Sequence, residues 1–398
     1  MTSRNLLCVV GFVLAGGLLT TQARELLTDP TIWPPDDFVE YWAAAKLTMG
    51  GQNPFDGALL LPLQQEAGRD TQDAVMMWNP PWSLPAVLPL GLLPVRSAQL
   101  IWLLVHLATV GFCADRLWVQ LGGAHDRRWI GWVLALVVMP MAFALSSGQI
   151  SVFLLLGAVL FLECEQRIAS DRRWEYLAGA ATVFVAIKPH LAYLLWVGVA
   201  ADALVRGRWR VLAGGAATGF LCAVLPLAFN PHVWHQYADA LGNRPPAQWL
   251  SPTLGTVLRM AFGAEQFRLQ FVPVGIGLTW FVWYRWKWSR GWDWTAQLPL
   301  VLLVSFCTAP YGAWPFDMVL LLPAVFAVVI PAASPSPARG GALRFALVSL
   351  FAVNLGCLLM NLFRFGSFLI IWVPHTVLVI YVVQTVRGSG GASEAVSA

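Results

Sequence analysis

Residues 32–56 read IWPPDDFVEYWAAAKLTMGGQNPFD, and they decide how the rest of the chain is read. This is the first long polar interruption after an apolar N-terminal segment. Two adjacent carboxylates, Asp36 and Asp37, follow a Pro-Pro pair. Phe38, Tyr41, Trp42 and Ala45 then recur at the spacing of one apolar helix face. Gly50-Gly51 stops that helix, and Asn53-Pro54 starts a turn. The pattern predicts an amphipathic helix lying on a membrane surface, with carboxylates at its start. Two roles are open for those acids. A side-chain oxygen there can cap the helix by accepting an orphan backbone N–H. One Asp can also cap while the other faces a substrate.

Composition sets the environment. Of 398 residues, 58% are hydrophobic and 12% charged, and that charge is about half of what a soluble domain carries. Apolar runs recur along the whole length, so the fold class is an all-α polytopic membrane protein, in which helices satisfy every backbone group internally. The alternation expected of a β-barrel is absent. The net charge is +4, and the basic residues form no stripe, which argues against nucleic-acid binding. Cys8, Cys113, Cys164, Cys222, Cys307 and Cys357 show no paired spacing and read as small apolar packers. Residues 1–23 read as an uncleaved first span rather than a signal peptide.

Hydropathy places further spans near 97–119, 129–146, 149–164, 174–187, 189–203, 209–229, 268–287, 295–309, 317–332, 343–361 and 366–386. With the first, that makes about twelve crossings in one transmembrane domain over residues 1–387. The segment from Trp82 to Leu93 is too short to cross and is flanked by prolines, so it reads as re-entrant or interfacial. Polar loops cover 28–80 and 230–267, the second with a short helix from Pro252 to Phe262. Residues 388–398 are small and polar, as in a disordered tail.

The arginines orient the chain. Arg127-Arg128, Arg167 with Arg172-Arg173, Arg206/Arg208/Arg210, Arg285/Lys287/Arg290, Arg339/Arg344 and Arg387 sit in different short connections. With a re-entrant 82–93 segment, all of them share the side of Arg4, which makes both termini cytoplasmic. Asp36, Asp37, Asn79, Gln149, Lys188, His190, the 230–267 loop and the 310–317 turn then share the outer face. A transporter would place such groups near the bilayer midplane instead.

A carboxylate in a membrane-surface loop suits general-base work on an acceptor hydroxyl. Displacement with inversion at a sugar needs only one base when the leaving group is a phosphate. A cation or a set of donors must then receive that phosphate. Lys188, in VFVAIKPHLAYLL, stands where an unpaired ammonium is costly, and Pro189 breaks the helix beside it. The competing reading is a lysine that snorkels to the interface. His190 is either a phosphate donor or a polar tip at headgroup level. Gln149 either binds a ligand hydroxyl or caps a helix. Trp314, in Pro310–Asp317, is a sugar contact or a belt aromatic. Asp317 can cap, bind sugar, or pair with Lys188 or Arg244. Arg244, in Asn243-Arg244-Pro245-Pro246, is a candidate phosphate contact. No HExxH or Cys/His cluster offers a protein-built metal site, so neither a metal nor another cofactor is expected.

Several short motifs recur in order: Asp37-Phe38…Tyr41…Ala44-Ala45…Gly51…Asn53-Pro54-Phe55-Asp56, Asn79-Pro80-Pro81, Gly148-Gln149, and Lys188-Pro189. Together they resemble glycosyltransferase family 87, bacterial polytopic enzymes of the GT-C class. The resemblance spans about 36–320. It implies an α-mannosyltransferase-like enzyme of the bacterial inner membrane. Its active site would face the periplasm and use a polyprenyl-phosphate sugar donor and a lipid or glycan acceptor. It places the catalytic Asp at Asp37, with Asp36 an extra acid beside it. Asn79 replaces the Tyr of a Tyr-Pro-Pro pattern. The expected site is therefore Asp37 and Asp36 for catalysis, and Lys188, Arg244 and His190 for phosphate. Tyr41, Asn79, Gln149, Trp314 and Asp317 would contact substrate, and Trp42, Trp82 and Trp314 would serve as platforms. The rival readings are a flippase or transporter of lipid-linked intermediates and a non-catalytic envelope scaffold.

Overall fold

The computed structural model describes residues 29–245, 248–289, 291–332 and 340–394. The expected first span therefore lies outside the described residues, as do Arg290, Arg339 and residues 395–398. Among the described residues the regular structure is entirely helical, with no β-strand. The chain divides into two compact units, Met1–Leu104 with Pro226–Ala240, and Val105–Leu225 with Leu241–Ala398. The boundary after Ala240 falls inside the expected loop 230–267.

In the first unit, helix Phe38–Met49 forms where expected but has no solvent face. Ten of its twelve residues are buried, including Glu40 and Thr48. Among its twelve residues only Glu40 and Lys46 are charged, so apolar side chains surround it, and such a helix belongs inside a fold rather than on a membrane surface. Trp42, expected as a platform, is buried, and its indole N–H donates to Leu93 O at 3.0 Å. The segment after Asn79 folds as two 3-10 helices, Pro81–Ala86 and Leu88–Leu92, broken up by Pro85 and Pro89. A side chain at Gly91 would lie 2.9 Å from Ala45 C and Lys46 N, so only glycine permits this packing on the buried helix. Residues 226–240 close the unit. Asn230 Nδ2 donates to Gln52 O at 2.8 Å, Tyr237 packs on Phe55 at 5.1 Å, and Trp234 packs on Trp82 at 5.7 Å.

The second unit holds an extended apolar core drawn from most of its helices. Helices Arg173–Val185 and Trp209–Val224 meet backbone to backbone. A Cβ on Gly179 would fall 1.9 Å from Val211 O, and one on Gly214 would fall 2.1 Å from Tyr176 O. Small residues allow this approach, as they do in membrane helix pairs. The predicted span 129–146 is bent by 65° between His125–Val137 and Met139–Ser147. Pro140 is the cause, because it has no N–H to give and its ring clashes with the preceding turn. The Met139 N–H finds Asn354 Oδ1 at 2.9 Å instead.

Val95–Gln120, Trp209–Ala228, Gly341–Leu362 and Ser367–Val386 are long and apolar enough to cross a membrane, and the bent pair makes a fifth candidate. Among the described residues this measure gives at most five candidates, fewer than the about twelve crossings expected for the whole chain. Several predicted spans fold as shorter helices, such as Val152–Arg167, Arg173–Val185, Tyr193–Arg206 and Trp294–Cys307. At 1.5 Å per residue even sixteen residues reach about 24 Å, short of a hydrocarbon layer of about 30 Å. The last helix, Trp372–Glu394, runs through 388–394, where a disordered tail was expected.

Three of the arginine-bearing connections come together at one end of this unit. Buried Asp202 accepts from Arg285 at 2.9 Å and from the Trp294 indole at 2.9 Å, and it pairs with Arg206 and Arg208 at 3.7 and 3.5 Å. Arg208 also pairs with Glu165, and Arg206 donates to Trp292 O at 2.7 Å. These charges therefore tie helix ends together.

Candidate active site

In the first unit the chain turns sharply before its buried helix. Asp36 has φ +43°, the left-handed region that costs a side chain energy, and such strain clusters at functional sites. Asp37 then takes the N-cap position of Phe38–Met49 in a helical conformation, and its side chain makes no capping hydrogen bond to that helix. Asp36 stays reachable from solvent. Its carboxyl is raised from 3.8 to about 6, first by loss of water around it and then by the adjacent charge of Asp37, with Arg69 pulling the other way. A carboxyl near 6 is tuned toward proton transfer at neutral pH. Tyr41 is fully buried with its ring 5.9 Å from Trp102, and Asn79 is buried just before the 3-10 turns.

The second unit gathers three chain breaks. Helix Met139–Ser147 ends at Gly148 in the left-handed conformation, and the Gln149 N–H returns to Ala144 O at 2.9 Å. Helix Arg173–Val185 ends before Lys188, because Pro189 forces a 3-10 turn, Pro189–Ala192. The third break is Pro310–Trp314, where Gly312 and Ala313 are both left-handed before the 3-10 helix Pro315–Leu321. Asp317 lies on that last helix with no solvent exposure. Its Oδ1 accepts from Lys188 Nζ at 2.6 Å and from Ser151 Oγ at 2.6 Å, and its Oδ2 accepts from the Trp314 N–H at 3.2 Å. Lys188 Nζ also donates to Ser151 Oγ at 3.1 Å and Gln149 Oε1 at 3.3 Å, and it stands 4.8 Å over the Phe316 ring. The Lys188 side chain is 12% exposed, so it is held within the protein instead of snorkelling.

Beside this cluster, the His190 ring lies edge-on to Tyr311 at 6.4 Å, and a Cβ on Gly312 would come within 2.8 Å of His190 Nε2. Trp249, Phe267 and Phe271 surround the other sides of Tyr311. Gln270 anchors the turn from behind. Its amide donates to Pro310 O and to Thr253 Oγ1 at 3.0 Å, and Arg259 donates to its carbonyl at 3.2 Å.

The structure thus brings together Lys188, Gln149, Asp317, Trp314 and His190. Arg244 is exposed, and its carbonyl accepts from the Trp249 indole at 3.1 Å. None of the described hydrogen bonds or ion pairs joins it to Lys188. The sequence reading missed Ser151, Phe316, Gln270 and Arg259. Only Ser151 carried a signal, a small hydroxyl residue directly before the apolar run that starts at Val152.

A family model, glycosyltransferase family 87, matches residues 78–310. The match takes in Gln149, Ser151 and Lys188, and leaves Asp36, Asp37 and Asp317 beyond its ends. No curated protein and no solved structure matches the chain. With helices fit to cross a bilayer and a match over more than half its length, the chain is a membrane glycosyltransferase. It belongs to glycosyltransferase family 87.

Proposed function

We propose that this enzyme moves a hexose, mannose above all, from a polyprenyl monophosphate to a lipid or glycan acceptor on the periplasmic face of the bacterial inner membrane. Asp37, with Asp36 beside it, takes the proton of the acceptor hydroxyl. The hydroxyl oxygen bonds to the anomeric carbon from the face opposite the phosphate. The carbon–oxygen bond to phosphate breaks, and polyprenyl phosphate leaves with the electron pair, so configuration inverts. Lys188 donates to the departing phosphate, with Asp317, Gln149 and Ser151 fixing its ammonium in place. His190 and Arg244 are further phosphate contacts.

The observation that carries this reading is the Asp36–Asp37 pair, with one strained backbone and one carboxyl raised to about 6 at the head of a buried helix. Paired carboxylates with a perturbed member are a mark of acid–base sites. The test is transfer from a polyprenyl-phosphate mannose donor by purified Asp37→Asn and Asp36→Asn proteins. Asp37→Asn should lower transfer by roughly two to four orders of magnitude, the usual worth of a general base. Asp36→Asn should cost much less. The reverse ranking moves the base to Asp36, and full activity in both variants removes catalysis from this pair.

A further inference from the structure

An amphipathic helix lies outside residues 38–49, the stretch where the sequence suggested a membrane-surface helix. Helix Leu254–Phe262 has two unlike faces. Gly255, Thr256 and Arg259 are turned inward and buried, Gly255 so closely that a Cβ would lie 2.6 Å from Gln270 O. On the other face Val257, Met260 and Phe262 are 39%, 63% and 66% exposed. Leu250 before the helix and Phe271 after it are apolar and exposed as well. The helix's one charge, Arg259, points into the protein, where it donates to Ala264 O and Gln270 Oε1. The flanking Glu265 and Arg268 are exposed.

We infer that this face is seated in a lipid leaflet of the membrane, at the level of the headgroups and upper acyl chains. Continuity argues for lipid as the occupant. The helix passes through the Phe267–Phe271 turn directly into Val272–Lys287, whose outward residues Val272, Ile276, Trp283 and Trp286 are apolar and exposed. In a membrane glycosyltransferase lipid is the apolar medium for such faces, and only the 263–271 connection separates the two helices. A helix that lies in the interface plane buries its apolar face at the headgroup and acyl-chain boundary. Gln270 and Arg259 join the inward face of this helix to the Pro310–Tyr311 turn. The leaflet contact therefore sets the level of the turn that packs against His190, beside Lys188.

The experiment needs no transfer activity, so it stands or falls apart from the donor and the catalytic pair. The full chain is reconstituted in vesicles of phosphatidylethanolamine and phosphatidylglycerol carrying a trace of phospholipid with a photoactivatable diazirine high on one acyl chain. After irradiation, labelled residues are mapped by mass spectrometry. We expect label at Met260 and Phe262 within about threefold of that at Ile276 and Trp283, the reference for lipid-bordered residues. The Met260→Asp, Phe262→Asp double variant should lose that label at least tenfold and keep it at Ile276 and Trp283. Label in the wild-type segment no higher than at buried Leu298 and Leu302 would overturn the inference. The wild-type pattern decides even where the double variant fails to fold.

Discussion

Lys188 and Asp317 lie 129 positions apart and meet at 2.6 Å, with 12% and 0% of their side chains exposed. Removing one partner of such a pair leaves a buried charge and costs about 3–5 kcal/mol. The two ends should not cost the same. Asp317→Asn leaves an ammonium that still reaches Gln149, Ser151 and the Phe316 ring, and that retains a little solvent. Lys188→Met leaves a carboxylate with no exposure, its hydrogen bonds among the described residues coming from Ser151 Oγ and the Trp314 N–H. Lys188→Met should therefore fall at the upper end of that range and Asp317→Asn at the lower. The double variant Lys188→Met, Asp317→Leu removes both charges and should return close to wild type, as buried pairs replaced by apolar side chains do. The assay is reversible unfolding of the detergent-solubilised protein, followed by circular dichroism, for these four proteins and for Asp317→Leu, which closes the double-mutant cycle with Lys188→Met and the double variant. An interaction of at least about 2 kcal/mol is expected from the cycle. Single and double changes that add within about 0.5 kcal/mol would refute a coupled buried pair. A folded double variant that also loses sugar transfer would support Lys188 at the phosphate, and full transfer in that variant would count against it.

The Asp36 carboxyl is raised from 3.8 to about 6, so the folded chain holds that proton more tightly than the unfolded chain does. Its stabilising contribution is complete below 3.8 and lost as pH rises through about 6. Asp36→Asn should therefore gain stability relative to wild type as pH rises from 4 to 6, and a variant-minus-wild-type difference that stays flat or falls over that interval contradicts the shift. Gly179→Val drives side-chain atoms into Val211 O and Gly215 N, and it should abolish most folded protein as judged by gel filtration. A normal yield would mean that the two helices do not meet through their backbones. A cysteine at exposed Gln52 should react with an impermeant maleimide added outside intact cells, above the wild-type background, and one at exposed Ser170 should not. The opposite labelling would invert the orientation read from the arginines.

The sequence by itself determined the class and the family. Apolar runs with few charges require helices in lipid, and short motifs around Asn79-Pro80-Pro81, Gly148-Gln149 and Lys188-Pro189 fall inside the family match. It also located the chain breaks, because Gly148, Pro189 and Pro315 act through their own backbone chemistry and need no distant partner. The tertiary structure decided what the breaks are for. That Lys188 faces Asp317 rather than the interface depends on three segments far apart in the chain, and no local pattern encodes their meeting. Burial was likewise settled by packing. A periodicity at Phe38, Tyr41, Trp42 and Ala45 looks one-sided, yet Val39, Ala43, Ala44 and Leu47 fill the other side, so the helix is enclosed. Leu254–Phe262 has Gly255 and Thr256 on its inner face, residues too small to register as a core, and the close approach of Gln270 makes that face the buried one. Its apolar residues are thereby left outside.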